Sequence, residues 1–154
     1  MSGIEKIITY LKFLGVELRL DTFSNRKQIQ KIIYLIENLV YLDLGYRYSW
    51  YLHGPYSPDL TQELFKNEKI KSDVATNLDE DEVKKLMTLR EFLGDDINSS
   101  DNLEILGSLC FLLSIGKHAK KSDKEMIEIL KEKKRFIDES KINYYYKKLT
   151  EFKL

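Results

Sequence analysis

The side chains with chemical capacity gather in two places. His53 lies in the stretch WYLHGPYSPDL, Trp50 to Leu60, which also holds the only tryptophan and both prolines. An imidazole with an ordinary pKa of about 6.5 can move protons at neutral pH. No carboxylate stands beside it in sequence, so it serves equally well as a structural hydrogen bonder. Acid–base work would need the fold to bring up an acid such as Asp43 or Asp59. The second place is the series Lys27, Lys31, Tyr34, Asn38 and Tyr41, at spacings of four, three, four and three. On a helix these form one stripe beside the apolar face. Two lysines and two tyrosines in line suit phosphate contacts and base stacking. Their stems and rings suit the edge of a core equally well.

Other chemistries find less support. Cys110 sits in the most apolar segment, where a thiol keeps its proton and stays inert. His53 and His118 are 65 positions apart, and neither has a partner at metal-ligand spacing. Neither a G-x-S-x-G elbow nor a phosphate-cradling glycine loop occurs. The four acids Asp79 to Glu82 fall at a predicted helix start, where the dipole favours negative charge, and divalent-metal binding is the alternative. No catalytic residue, metal site or cofactor is therefore assigned.

The elements that position these residues are mostly helical. Ile4, Ile7, Ile8, Leu11 and Leu14 recur at helical spacing, and Gly15 suits a C-cap. A second helix is expected from a cap at Ser24 or Asn25 to about Asp43, ended by Gly45. Tyr46, Tyr48, Trp50 and Leu52 then alternate with other residues as a short strand, broken by Gly54-Pro55. Trp50 on this strand reads most simply as core. Tyr51 and Tyr56 face outward, where tyrosines anchor interfaces. Ser57 caps a helix with Pro58 at its first position. Ile70 and Val74 give a thin signal for a second strand, which would make a two-stranded ribbon like the wing of a winged helix.

Further on, Asp79 with Glu82 and Ser122 with Glu125 are capping boxes, and Asp101 with Glu104 repeats the pattern. The segment from Leu103 to Ile115, interrupted by Glu104, is apolar nearly all round and belongs at the centre of the domain. Gly107 and Ser108 within it permit close approach of a neighbouring backbone. Asp95 to Asp101 reads as an interhelical loop. A last helix starts at Ile137 or Asp138 and carries Ile142, Tyr145, Leu149 and Phe152. The expected fold class is all-α, with about seven helices and a short two-stranded β-ribbon, as a compact single domain spanning 1–154.

Size and composition agree. The 154 residues suffice for one buried core, and 43% hydrophobic with 32% charged residues indicates a globular chain. A single cysteine excludes an intrachain disulfide and favours a reducing compartment. The first residues do not resemble a signal peptide, and the longest apolar run is shorter than the roughly 20 residues of a membrane span. A soluble, cytoplasmic protein without a membrane partner is expected. Net charge is zero, yet residues 59–104 carry a balance of −7 and residues 117–154 one of +5. A zero total and five arginines weaken the pull toward nucleic acid. The basic end suits a solvated helix face, a match to the acidic middle, or an anionic partner.

The helix RKQIQKIIYLIE, Arg26 to Glu37, followed by YRYSWYLHGPYSPDLTQEL, Tyr46 to Leu64, resembles the Panacea domain, the SocA-like antitoxin family, and still more its YwgA-like helical relatives. The matching residues are Lys27, Gln30, Lys31, Tyr34, Trp50, Tyr51, His53, Gly54, Pro55, Tyr56, Ser57 and Leu60. The likeness covers roughly Arg26 to Leu64, and the rest of the chain fits loosely. It implies a mostly helical antitoxin that neutralises a toxin by direct binding. The expectation is a non-enzymatic, protein-binding regulatory module, an antitoxin or adaptor. Its partner surface would comprise Lys27, Lys31, Tyr34, Tyr51, His53 and Tyr56, on a corner built by Trp50, Gly54, Pro55, Ser57 and Pro58. The alternative is a winged-helix-like nucleic-acid-binding protein using Lys27, Lys31 and the basic C-terminal helices. Tyr144, Tyr145 and Tyr146 suggest a homodimer contact or simply a helix face beside the core.

Overall fold

In a computed structural model, which describes residues 3–69 and 76–154, the chain forms seven α-helices and one two-stranded antiparallel sheet. Helix α1 spans Gly3–Phe13 and α2 Phe23–Asn38. Strands β1, Ser49–Tyr51, and β2, Gly54–Tyr56, lead into α3, Pro58–Lys66. Helices α4, Glu80–Leu93, and α5, Ser100–His118, are joined by a 3-10 turn at Gly94–Asn98, where the sequence indicated only a loop. Helices α6, Asp123–Lys133, and α7, Glu139–Glu151, complete the chain.

Local chemistry places most of the ends. Ser57 Oγ accepts from Leu60 N–H with Pro58 at the first turn of α3, as expected. Both capping boxes, Asp79 with Glu82 and Ser122 with Glu125, are formed. Gly15, at φ 76°, ends α1 in the left-handed region that glycine alone enters freely. Three boundaries differ from expectation. Thr22, not Ser24 or Asn25, caps α2, accepting from Asn25 N–H. Helix α2 stops at Asn38 because Tyr41 turns left-handed, at φ 58°, while the Glu37 carboxylate accepts from the Leu44 and Tyr46 N–H groups. Ser99, not Asp101, caps α5, which frees Glu104 for another role.

The strand's partner also differs. Ser49 pairs with Tyr56 and Tyr51 with Gly54, leaving Leu52-His53 as a two-residue turn. Gly54-Pro55 therefore does not break the ribbon but forms its second strand. The expected strand at Ile70 and Val74 lies outside the described residues. Alternation holds up to the turn: Tyr46, Tyr48 and Trp50 are half-buried and Arg47, Ser49 and Tyr51 exposed.

Helix α5 is the axis, as its all-round apolar character predicts. It packs against α2, α6, α7 and β2. The hairpin reaches it through small residues. A Cβ on Gly54 would stand 2.5 Å from Ser108 Oγ, and one on Gly107 would stand 3.6 Å from Pro55 Cγ. On the far side, Glu82 ties α4 to α1 by accepting from Lys6 at 2.7 Å and from the Tyr10 hydroxyl.

Candidate binding site

The wall of the site begins with α2. Phe23, Arg26, Lys27, Gln30 and Lys31 follow helical steps of three and one and so share one face. That face meets the hairpin and α3. Gln30 Nε2 donates to Ser57 O at 2.9 Å and to Thr61 Oγ1 at 2.8 Å, while Ser57 N–H donates to Gln30 Oε1 at 3.2 Å. Lys31 Nζ donates to Pro55 O at 2.7 Å. The two sequence stretches singled out for their composition are thus bonded to each other. Between them lies a cavity of about 340 Å³, lined by Lys27, Lys31, Tyr51, His53 and Tyr56, together with Leu20, Phe23, Arg26, Gln30, Leu52, Thr61, Leu64 and Phe65.

Beneath the hairpin a buried carboxylate organises the charges. Glu104 Oε1 accepts from Lys27 Nζ at 2.9 Å and lies 3.2 Å from His53 Nδ1. Its Oε2 accepts from Lys134 Nζ at 2.6 Å, and that ammonium also donates to Leu52 O. Burial disfavours the Glu104 anion, but the hydrogen bonds from Lys134 and Lys27 outweigh it and hold the carboxyl below its ordinary pKa. Burial likewise disfavours the Lys27 cation, and the bonds to Asp101 and Glu104 more than restore it. Among the described residues Lys31 has no such ion pair. Burial lowers it to about 8, only partly opposed by the field of Glu104.

Five of the six expected partner-facing residues line the cavity, but their roles divide. Tyr51 is exposed, and Tyr56 is half-buried with its ring edge-on to Tyr51 at 5.0 Å. His53 is partly open, with Phe23 edge-on at 4.8 Å. Lys27 and Lys31 are buried rather than presented, because Glu104 and Pro55 O draw their ammonium groups inward. They are not free to contact nucleic-acid phosphates on an outer surface, which removes the stripe from the winged-helix alternative.

Tyr34 is excluded from any partner surface. It is 2% exposed, with its ring edge-on to Tyr48 at 5.0 Å. Burial and its contact with Cys110 raise its hydroxyl pKa. Asn38 donates back to Tyr34 O, and Tyr41 lies past the end of the helix, so the stripe does not continue.

The corner residues behave as structure. Trp50 is half-buried, 6.0 Å from Phe111, with the Lys134 ammonium 5.8 Å from its ring centroid. Gly54, Pro55 and Ser57 are buried, while Pro58 opens α3 at the surface. At the other end of the chain the tyrosine triplet is mostly committed internally. Tyr145 is buried and donates to Asp96 at 2.8 Å, Tyr146 donates to Asp123 at 2.8 Å, and only Tyr144 projects. The triplet therefore offers no continuous dimer face.

For chemistry, the acid that reaches His53 is Glu104, not Asp43 or Asp59. The same Oε1 already accepts from Lys27, and Oε2 from Lys134. Both oxygens of that carboxylate are thus already engaged by buried ammonium groups. Burial pushes the Cys110 thiol up to about 11, which makes it unreactive. Among the described residues, no group of three His, Cys, Asp or Glu side chains gathers as for a metal ion, and no helix is long and apolar enough to cross a membrane.

Sequence reasoning missed Glu104 and Lys134. An isolated acid in an otherwise apolar helix was the available signal for Glu104. Lys134 carried none, standing in a basic run like its neighbours. In comparison with known proteins, no family model, curated protein or solved structure matches the chain.

Proposed function

We propose that the chain is a non-enzymatic protein-binding module, an antitoxin or adaptor of the kind the Panacea resemblance implies. The observation that carries this reading is the rim of the cavity. Phe23, Tyr51, Leu52 and Phe65 are all exposed there, Leu52 to 82%, although each is large and apolar. Isolated exposed apolar residues are ordinary, but four around one concavity form an anchor set for a partner's side chains. The hairpin tip, which carries Tyr51 and Leu52, is held at two backbone carbonyls. Lys134 fixes Leu52 O, and Lys31 fixes Pro55 O, so little order is lost on docking.

Leu52→Ala and Tyr51→Ala test the proposal. Both side chains face solvent, so melting should stay within about 0.5 kcal/mol of wild type. Co-expressed with the product of the adjacent gene, the wild type should co-purify as a complex. Each variant should weaken it by about 1–2 kcal/mol, read by titration calorimetry. A complex that forms with unchanged affinity in both variants, or no complex at all, refutes the reading.

A further inference from the structure

We propose that the cavity between α2, the hairpin and α3 is a binding site for a small ligand made of a flat ring joined to an oxyanion. This goes beyond the protein-docking reading and does not depend on it. Three independent features converge. The volume of about 340 Å³ suits a small organic molecule rather than a lone ion. The charged residues in the wall are Arg26, Lys27 and Lys31, joined by the imidazole of His53, and among the described residues no carboxylate lines it. The rest of the wall is largely aromatic and aliphatic, with Phe23, Tyr51, Tyr56 and Phe65 offering ring faces and edges.

The charge balance beneath the cavity gives the strongest argument. Lys27, Lys31 and Lys134 are buried together against one buried carboxylate, Glu104; among the described residues the one other acid in contact, Asp101, has a side chain 87% exposed. Lys31 donates to a neutral carbonyl and, among the described residues, forms no ion pair of its own. A buried cation left in this state is costly, and a protein retains one where something else completes it. An anion in the adjoining cavity would complete it. With burial lowering Lys31 only to about 8, its ammonium is mostly charged at neutral pH and available to that anion.

The test is calorimetric titration of the intact chain with indole-3-acetate and adenosine 5′-monophosphate. Indole-3-acetamide, adenosine, acetate and inorganic phosphate serve as counterparts. At least one ring acid should bind saturably at one site. Its neutral counterpart and its ringless anion should each bind at least about tenfold more weakly. The tighter of the two acids identifies the oxyanion as carboxylate or phosphate. Lys31→Met should lower that affinity at least about tenfold; because it also removes the bond to Pro55 O, a melting curve first checks that the variant is folded. Arg26→Gln provides the same reading should Lys31→Met fail to fold. The proposal is overturned if neither acid binds, if the neutral analogues bind equally well, if the ringless anions do, or if the folded variant binds like wild type. These titrations contain no protein partner, so their failure leaves the docking proposal standing, and the reverse also holds.

Discussion

Glu104 is the residue on which the site turns. It brings Lys27 of α2, His53 of the hairpin and Lys134 at the end of α6 to one point, across sequence separations of 77, 51 and 30. Replacing it by glutamine keeps the shape but leaves two buried ammonium groups, those of Lys27 and Lys134, facing a neutral amide. Glu104→Gln should therefore destabilise the fold by about 3 kcal/mol or more, measured by urea unfolding at neutral pH. The pH dependence has a definite sign. The folded-state pKa of Glu104 lies below its ordinary value, so its stabilisation is complete above the ordinary carboxylate range and is lost as pH falls through the folded-state value. The variant should show a shallower loss of stability in acid. Glu82, also held low against burial by Lys6 and Tyr10, would keep part of that loss. Equal stability of variant and wild type at neutral pH would mean that the cluster is neutral to the fold. The basic and aromatic members of this site were legible in the sequence because they are rare types in short stretches. Glu104 reads in sequence as the capping-box partner of Asp101, because an acid three positions after another looks the same in either role.

At the scale of elements, the hairpin shows why some boundaries were legible and others not. Caps such as Ser57-Pro58, Asp79 with Glu82 and Ser122 with Glu125 depend on residues within one turn, and the sequence displays them whole. The end of α2 depends on Glu37 catching backbone groups up to nine residues away, while Val40 and Leu42 remain buried and continue the apolar pattern past the true stop. The pairing of β1 with Gly54–Tyr56 was hidden for a related reason: proline and glycine ordinarily mark the end of a strand. Here they form it, because Gly54 adopts φ 93° and lies against Ser108. Gly54→Ala should cost about 2 kcal/mol or more, from the left-handed backbone together with a Cβ 2.5 Å from Ser108 Oγ. Adding Ser108→Gly should recover the steric part and leave the backbone part. Thermal unfolding of the single and double variants would separate the two. A single variant as stable as wild type would show that the hairpin does not seat on α5 as described.

At the scale of the molecule, a rigid axis carries a presented corner. Helices α2 and α5 contribute many of the fully buried side chains, and long-range ties such as Lys6 to Glu82 and Tyr145 to Asp96 bind the remaining helices into the same body. The hairpin is different. Two strands of three residues have little stability alone, so it stands only through its seat on α5 and the side chains that grip its backbone. Lys134 grips it at Leu52 O and is the easiest of these to remove. Its loss leaves Glu104 paired with Lys27 and reduces the local excess of positive charge. Lys134→Met should therefore release the corner without loosening the axis. By hydrogen exchange, amides in residues 49–56 should exchange at least about tenfold faster than in wild type, while those of α2 and α5 keep their protection. Loss of protection throughout would place Lys134 among the supports of the whole fold. No change in the hairpin would mean that Lys31 and the Gly54–Ser108 contact hold the corner by themselves, and that presentation of Tyr51 and Leu52 does not depend on the buried charge cluster.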